Sequence, residues 1–545
     1  MMGRQRPCGP AGDPAEESGL PLPSHERATL PAQEARRGTH LESHDLPRRP
    51  PEGGIARGRP LELFSGIYSD PEGPAGKEQR KGRTALSPIQ RLVEEMRDCL
   101  EALSGAGGEG DGRVEEVRPP TNPELERIAL LVYESMSGPA RTFHTVEHVL
   151  DISADTTPVM TVAAHFHDVV YYGIDGGLGP MQARILDGVV EELGDGSVAV
   201  SATDPDPGIS LCLAVFGYRP GQVLSPTGGL NEFLSAAAAA RSLRNLVSRG
   251  DLARILACIE ATIPFRATDG SAERLHGRLE RASGTYGLGF GRGDLTAAVQ
   301  QAVMIANRDV ASFANPQPAA FLSGTWNLLP ESNISLRNRR FYLLSDFALA
   351  MKKMGGFLAG LDACSVFGQY DGVPSAEGLE DLTLRARANI DIATDYLDYK
   401  LLSIGIVYAL SVLTGGDGPV SMFLGSRPQV PGERIPIETY LDVRGPPREG
   451  VMVNEAVYAL LREGRCGSTE FDMEESPLTM YLCSVMGHEE MKAAAATVAC
   501  PMDEEDAERL LRTVRGVAVA EIAAACARIC LTREEGLLDI SRRYS

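Results

Sequence analysis

Apolar residues recur at three- and four-residue intervals over most of the chain, the spacing of one helix face. Ile89, Leu92, Val93, Met96 and Leu100 form the first stripe and predict a helix over 88–103. Asn122-Pro123 reads as an N-cap with proline at the first helical position. The helix that follows carries Leu125, Ile128, Leu131, Val132 and Met136 and ends at Gly138-Pro139. Thr157-Pro158 repeats the start signal for a helix running to about Tyr171. Helical spacing returns over 232–247, 252–262, 295–313, 339–359 and 379–412. It appears again after 448, with starts at Ser476-Pro477 and Asp503. Strand signals are few. One short strand is expected at 210–216, inside an irregular Gly-, Pro- and Asp-rich stretch over 197–230. The pattern predicts a mostly α protein.

Breaks in the pattern divide the chain. The first 120 residues hold 15 of the 36 prolines and 17 of the 58 glycines, with Phe64 and Tyr68 as their aromatics. Residues 1–85 bury too little apolar surface to offset chain entropy and are expected to be disordered. A short helix and a Gly/Asp/Glu linker are expected over 86–120, then a helical body over 121–414 with 197–230 as an insertion. A Pro/Gly-rich linker over 415–447 precedes a helical region, 448–545, that carries no catalytic constellation. His488 stands alone there, as a surface or capping residue.

Composition narrows the function. The chain carries 53 basic and 74 acidic residues, a formal charge of −21, which argues against general binding to nucleic acid or an anionic membrane surface. The longest apolar run, 401–414, is short of the ~20 residues that span a bilayer and contains Ser403 and Gly405, so a buried core helix is expected. The N-terminus is Arg-rich without a secretory apolar stretch. Asp13, Glu16 and Glu17 weaken an organelle-transit reading. The ten cysteines are scattered, with Cys526 and Cys530 at helical spacing. They suggest neither a disulfide scaffold nor a zinc cage, and a reduced, cytoplasmic setting is expected.

The chemistry concentrates in the histidines. The chain has nine, and His144, His148, His165 and His167 fall within 24 residues. His144 and His148 are four apart, which on a helix puts them on one face. His167-Asp168 follows in the apolar run Ala163-Ala164-His165-Phe166-His167-Asp168-Val169-Val170-Tyr171, where a buried ionisable pair is costly unless it is used. Imidazole and carboxylate suit borderline or hard divalent metals.

These residues resemble the HD superfamily of metal-dependent phosphohydrolases. Phe143-His144-x-x-x-His148-Val is similar to a segment shared by cyclic-nucleotide phosphodiesterases and a further group of HD phosphohydrolases. Phe166-His167-Asp168-Val-Val-Tyr171 resembles that group's Phe-His-Asp-x-x-Tyr segment. Asn231-Glu232-Phe-Leu-Ser235-Ala236 resembles its Asn-Glu-x-x-Ser-Ala stretch, about sixty residues later in the chain than the group's spacing implies. The resemblance spans roughly 120–360 and implies an HD-type helical bundle core, with 448–545 as a helical extension. It implies His148, His167, Asp168 and Asp309 as metal ligands, with Asp346 as the alternative last ligand. It assigns His144 as the acid for the leaving oxygen. One departure stands out: Pro264 occupies the place of a His in the group's Thr-x-x-His, with Glu260 nearby as a replacement ligand.

Each residue also has a plainer reading. Glu232 either orients a ligand or an attacking water, or is an acid at a favourable helix start. Arg308, Arg266 and Asn231 are candidate substrate contacts, and Arg337, Arg339 and Arg340 form a charged helix start; arginines also commonly stay solvated. His165 points to a different helix face from His167 and is expected to be structural. Glu147 is expected to be solvated. No Walker-type phosphate loop is present, and Gly284-x-x-Gly287-x-Gly289 lacks the preceding strand of a dinucleotide site. The expectation is hydrolysis of a phosphomonoester or phosphodiester, nucleotides among the candidates, with one or two ions of Mn, Mg, Fe or Zn. The alternatives are a di-iron oxygenase on the same ligands, or a non-catalytic metal-binding scaffold.

Overall fold

Helix α1 (Pro88–Gly105) buries Leu92, Val93, Met96, Leu100 and Leu103 on one face, the stripe its sequence predicts. The computed structural model describes residues 86–105, 117–194, 197–201, 206–225, 228–338, 341–425, 436–441, 447–469 and 471–545. Residues 1–85, most of the 105–112 linker, part of 415–447, and Arg339 and Arg340 lie outside the described residues.

The protein is mostly α-helical. Its first half is built from α1, α2 (Asn122–Met136), α3 (Val146–Ser153), α4 (Pro158–Phe166), α5 (Pro207–Phe216), α6 (Leu230–Ser242), α7 (Arg249–Ala261), α8 (Ser271–Tyr286) and α9 (Arg292–Asp309). The capping of α4 matches the sequence, while α2 is capped one residue earlier than expected, by Thr121 rather than Asn122. Glu124 at the third helical position of α2 accepts from the Thr121 amide (2.9 Å), and the Thr157 hydroxyl receives the Met160 amide of α4. These helices share one apolar core from Leu92 to Ile305.

A second core runs from Ala314 to Ile540. It joins α10 (Pro318–Ser332), α11 (Leu344–Gly360) and the 38-residue α12 (Ala376–Leu413) to the C-terminal helices α13 (Glu455–Glu463), α14 (Pro477–Met486), α15 (His488–Ala495), α16 (Glu504–Thr513), α17 (Gly516–Ala527) and α18 (Glu534–Tyr544). Trp326, Tyr396, Tyr399 and Tyr481 are among its most deeply buried side chains. Full burial of such large side chains contributes a few kcal/mol each. Helix α12 is long and apolar enough by composition to cross a bilayer, but 83% of its apolar window is buried against its neighbours. Lys400, within that helix, pairs with Asp472 at 3.0 Å.

The structure corrects several local expectations. Residues 210–216 are helix, not strand. Asp206 caps α5 through the Ile209 amide (3.0 Å), Pro207 takes the first position, and Gly217 closes it in the left-handed conformation. A short apolar run between such caps has no strand-specific signal. The 197–230 stretch is more regular than expected. Its strands β2 (Val198–Val200) and β3 (Val223–Leu224) join β1 (Val190–Glu192) in an antiparallel sheet, ordered β1-β2-β3. Finally, α4 ends at Phe166 rather than near Tyr171, so His167 caps its C-terminus and Asp168 lies in the following turn. Helices α8 and α10 lie where no helix was expected.

Candidate metal centre

Four residues from three elements of the first core converge on one point. His148 comes from α3, His167 and Asp168 from the end of α4, and Asp309 from the last position of α9. One ligand atom from each lies within 4.8 Å of the other three. The His148 and His167 ring centres are 5.8 Å apart. His148 Nε2 is 3.2 Å from Asp309 Oδ1, and His167 Nε2 is 3.0 Å from Asp168 Oδ2 and 3.4 Å from Asp309 Oδ1.

The chemistry of these donors fits a cation. His167 Nδ1–H donates to the Ala164 carbonyl at 2.8 Å, which fixes the tautomer and leaves a lone pair on Nε2. That lone pair faces carboxylate oxygens. His167 Nε2 and Asp168 Oδ2 are both buried and, despite their 3.0 Å separation, lack hydrogen-bond geometry to any partner among the described residues. Lone pairs facing lone pairs repel unless a proton or a metal stands between them. A proton answers this in part. Burial opposes an imidazolium at His167, but Asp168 and Asp309 outweigh it and raise its pKa well above the usual value. Asp168 and Asp309 are correspondingly held low by the imidazoles, against the opposing effect of burial. The four donors and their separations suit a divalent ion with open positions.

His144 sits just before α3, not on the helix with His148. Its ring centre is 5.6 Å from that of His148, and its Nε2 is 3.9 Å from Asp168 Oδ2. Its Nδ1 donates to Glu331 Oε2 at 2.6 Å. Glu331 belongs to α10, in the second core, and is buried. Its other oxygen accepts the backbone N–H groups of Thr142 (2.7 Å), Phe143 (2.7 Å) and His144 (3.1 Å). One carboxylate therefore fixes both the ring and the backbone of His144. Burial opposes a charge on His144, but Asp168 and the Glu331 hydrogen bond raise its pKa above the usual histidine value.

Glu232, on α6, interacts electrostatically with Asp168 and Asp309. Its Oε2 is buried without a hydrogen-bond partner among the described residues. Burial, reinforced by the charges of Asp168 and Asp309, pushes its pKa up to about 7. Its neighbours in the Asn-Glu-x-x-Ser-Ala stretch act on the His-Asp loop. Asn231 Oδ1 accepts the Tyr172 amide at 3.0 Å, and Ser235 Oγ accepts the Val170 amide at 2.9 Å. Asn231, expected as a substrate contact, instead holds the loop that carries Asp168.

The candidate arginines are not brought to the centre. Arg308 turns to the carbonyls of Ile152 (3.1 Å) and Ala154 (2.6 Å) at the end of α3. Its neighbour Asp309 faces the other way because adjacent helical side chains diverge by about 100°. Arg266 donates to the Glu260 carbonyl (2.7 Å) and pairs with the Glu260 side chain (3.2 Å), beside a cavity of about 360 Å³. Glu260 also binds Arg278 at 2.7 Å and is not among the clustered donors, so it does not replace the missing histidine there. Asp346, the alternative last ligand, caps α11 through the Leu343 amide at 2.9 Å. His165 turns away from the cluster to α1, with Nε2 3.0 Å from Glu95 Oε2. Arg337 donates to the carbonyls of Pro330, Glu331 and Ile174.

Two contributors were invisible in the pattern. Glu331 lies after Pro330 in an unremarked helix, and nothing local marks it. Arg141 reaches back to the Asp168 carbonyl at 2.8 Å and pairs with Asp175 at 2.7 Å, buttressing the turn after α4. No family model, curated protein or solved structure matches this chain.

Proposed function

We propose that this chain is a metal-dependent phosphohydrolase with an HD-type core, cleaving a phosphomonoester or phosphodiester, nucleotides among them. One juxtaposition carries the reading. The donor set His148, His167, Asp168 and Asp309 lies beside an imidazole whose far nitrogen is bound by a buried carboxylate. A divalent ion held by those donors supplies an activated water and neutralises charge on the phosphoryl oxygens.

The chain's own residues supply the proton transfers. His144, held by Glu331 at Nδ1, presents its Nε2–H to the leaving oxygen as a general acid. Asp168 and Glu331 favour that proton, raising the His144 pKa above the usual histidine value against the effect of burial. Glu232 Oε2, buried and shifted to about 7, is suited to accept the proton of the attacking water. Asn231, Ser235 and Arg141 keep the Asp168 turn in position. An oxygenase would use the same ligands but has no evident use for an acid as firmly oriented as His144, and this favours hydrolysis. A scaffold would need neither His144 nor Glu232.

The test is a panel of phosphomonoesters and phosphodiesters with Mn, Mg, Fe and Zn, run on the parent and on a His167→Ala, Asp168→Ala double variant. The parent is expected to bind metal and turn over at least one ester, and the double variant to lose both. Equal hydrolysis by the double variant overturns the site. Bound iron with an oxygen-dependent spectrum and no hydrolysis overturns the reaction.

A further inference from the structure

The centre is ringed by acids. Asp168, Asp309, Glu232 and Glu331 all act electrostatically on one phenol, that of Tyr171. The nearby cations are committed elsewhere. Arg141 binds Asp175 and the Asp168 carbonyl, Arg308 binds carbonyls after α3, and Arg337 binds carbonyls around Glu331. A phosphoryl group entering this centre needs a hydrogen-bond donor that the arginines do not supply.

Tyr171 is placed to be that donor. Its ring packs against the His144 ring with centres 4.8 Å apart, and the Arg141 guanidinium lies 5.6 Å from its centre. The ring is thus fixed from two directions. Its hydroxyl makes no hydrogen bond among the described residues, and the residue is only half-buried, so that oxygen is free to meet a ligand. The loop that carries Tyr171 is pinned on both sides, by Ser235 at Val170 and by Asn231 at Tyr172.

We infer that Tyr171 is a substrate-contacting residue whose hydroxyl donates a hydrogen bond to a phosphoryl oxygen held at the metal centre. This rests on the phosphohydrolase reading for its catalytic consequence, but not for its binding. Burial and the surrounding carboxylates drive the phenol's pKa upward, so it keeps its proton and serves as a donor rather than a base. An uncharged donor here does part of the work of an arginine without pairing with the adjacent acids.

The test compares the parent with Tyr171→Phe, both loaded with Mn, and uses two independent readouts. Equilibrium dialysis with inorganic phosphate is expected to show affinity about five-fold weaker in the variant at unchanged metal content. A 3-fluorotyrosine placed at 171 is expected to shift its fluorine resonance when phosphate is added. On any ester the parent hydrolyses, the variant should lose roughly a hundred-fold in kcat/KM, most of it in kcat. Equal phosphate affinity, or an unmoved fluorine signal, overturns the inference. If the parent hydrolyses nothing, the phosphohydrolase reading falls, while the phosphate measurements still decide the role of Tyr171.

Discussion

His144 Nδ1 and Glu331 Oε2 lie 2.6 Å apart although 187 residues separate them, and the bond joins the two cores of the fold. The same carboxylate collects three consecutive backbone amides around His144. Glu331 is therefore a positioning residue for the proposed acid. Glu331→Gln keeps the shape and removes the charge that helps to raise the His144 pKa. The expected outcome is a loss of ~10–100-fold in kcat at unchanged metal content. The alkaline limb of the pH–rate profile should move to lower pH, because His144 then gives up its proton sooner. A profile that does not move would separate Glu331 from His144 function.

Metal binding should stabilise the protein by mass action. At a hundred times its Kd, Mn is expected to add about 2.7 kcal/mol to unfolding, read as a rise in the denaturant midpoint. The His167→Ala, Asp168→Ala double variant should show no response to Mn.

Glu232 gives a pH signature in metal-free protein. Its folded pKa, about 7, lies above the 4.5 of the unfolded chain. The folded state therefore holds its proton more tightly, and stability falls as pH rises from about 4.5 through 7, then levels off. Glu232→Gln removes that loss. The variant should be more stable than the parent at pH 8 by on the order of 3 kcal/mol and nearly equal to it at pH 4. It should also lose hydrolytic activity. Urea titrations at the two pH values check the first point, and a stability difference that does not change with pH would contradict it.

Arg308 should behave as a structural residue. Arg308→Ala removes two hydrogen bonds to the carbonyls that end α3, with an expected cost of about 1–2 kcal/mol in stability. KM should stay within two-fold of the parent value, within the roughly two-fold scatter expected of a residue that makes no substrate contact. A large rise in KM without loss of stability would return Arg308 to the substrate-binding role expected from its sequence position.

The sequence by itself determined the helical class and most helix starts, and it marked His148, His167 and Asp168 of the clustered His/Asp group. Proline at the first helical position, a polar cap before it and period-3.6 apolar stripes are local signals, and α2, α4, α9 and α12 follow them. His148, His167 and Asp168 stood out because ionisable residues in apolar surroundings need a reason. Asp309 was reached through family resemblance and then placed by the fold. Tertiary structure alone decided which side each arginine faces, because contact depends on what lies across the helix face. It made α5 a helix by capping a short apolar run that carries no period of its own. It also brought Glu331 to His144, since a bond across 187 residues leaves no trace in local spacing.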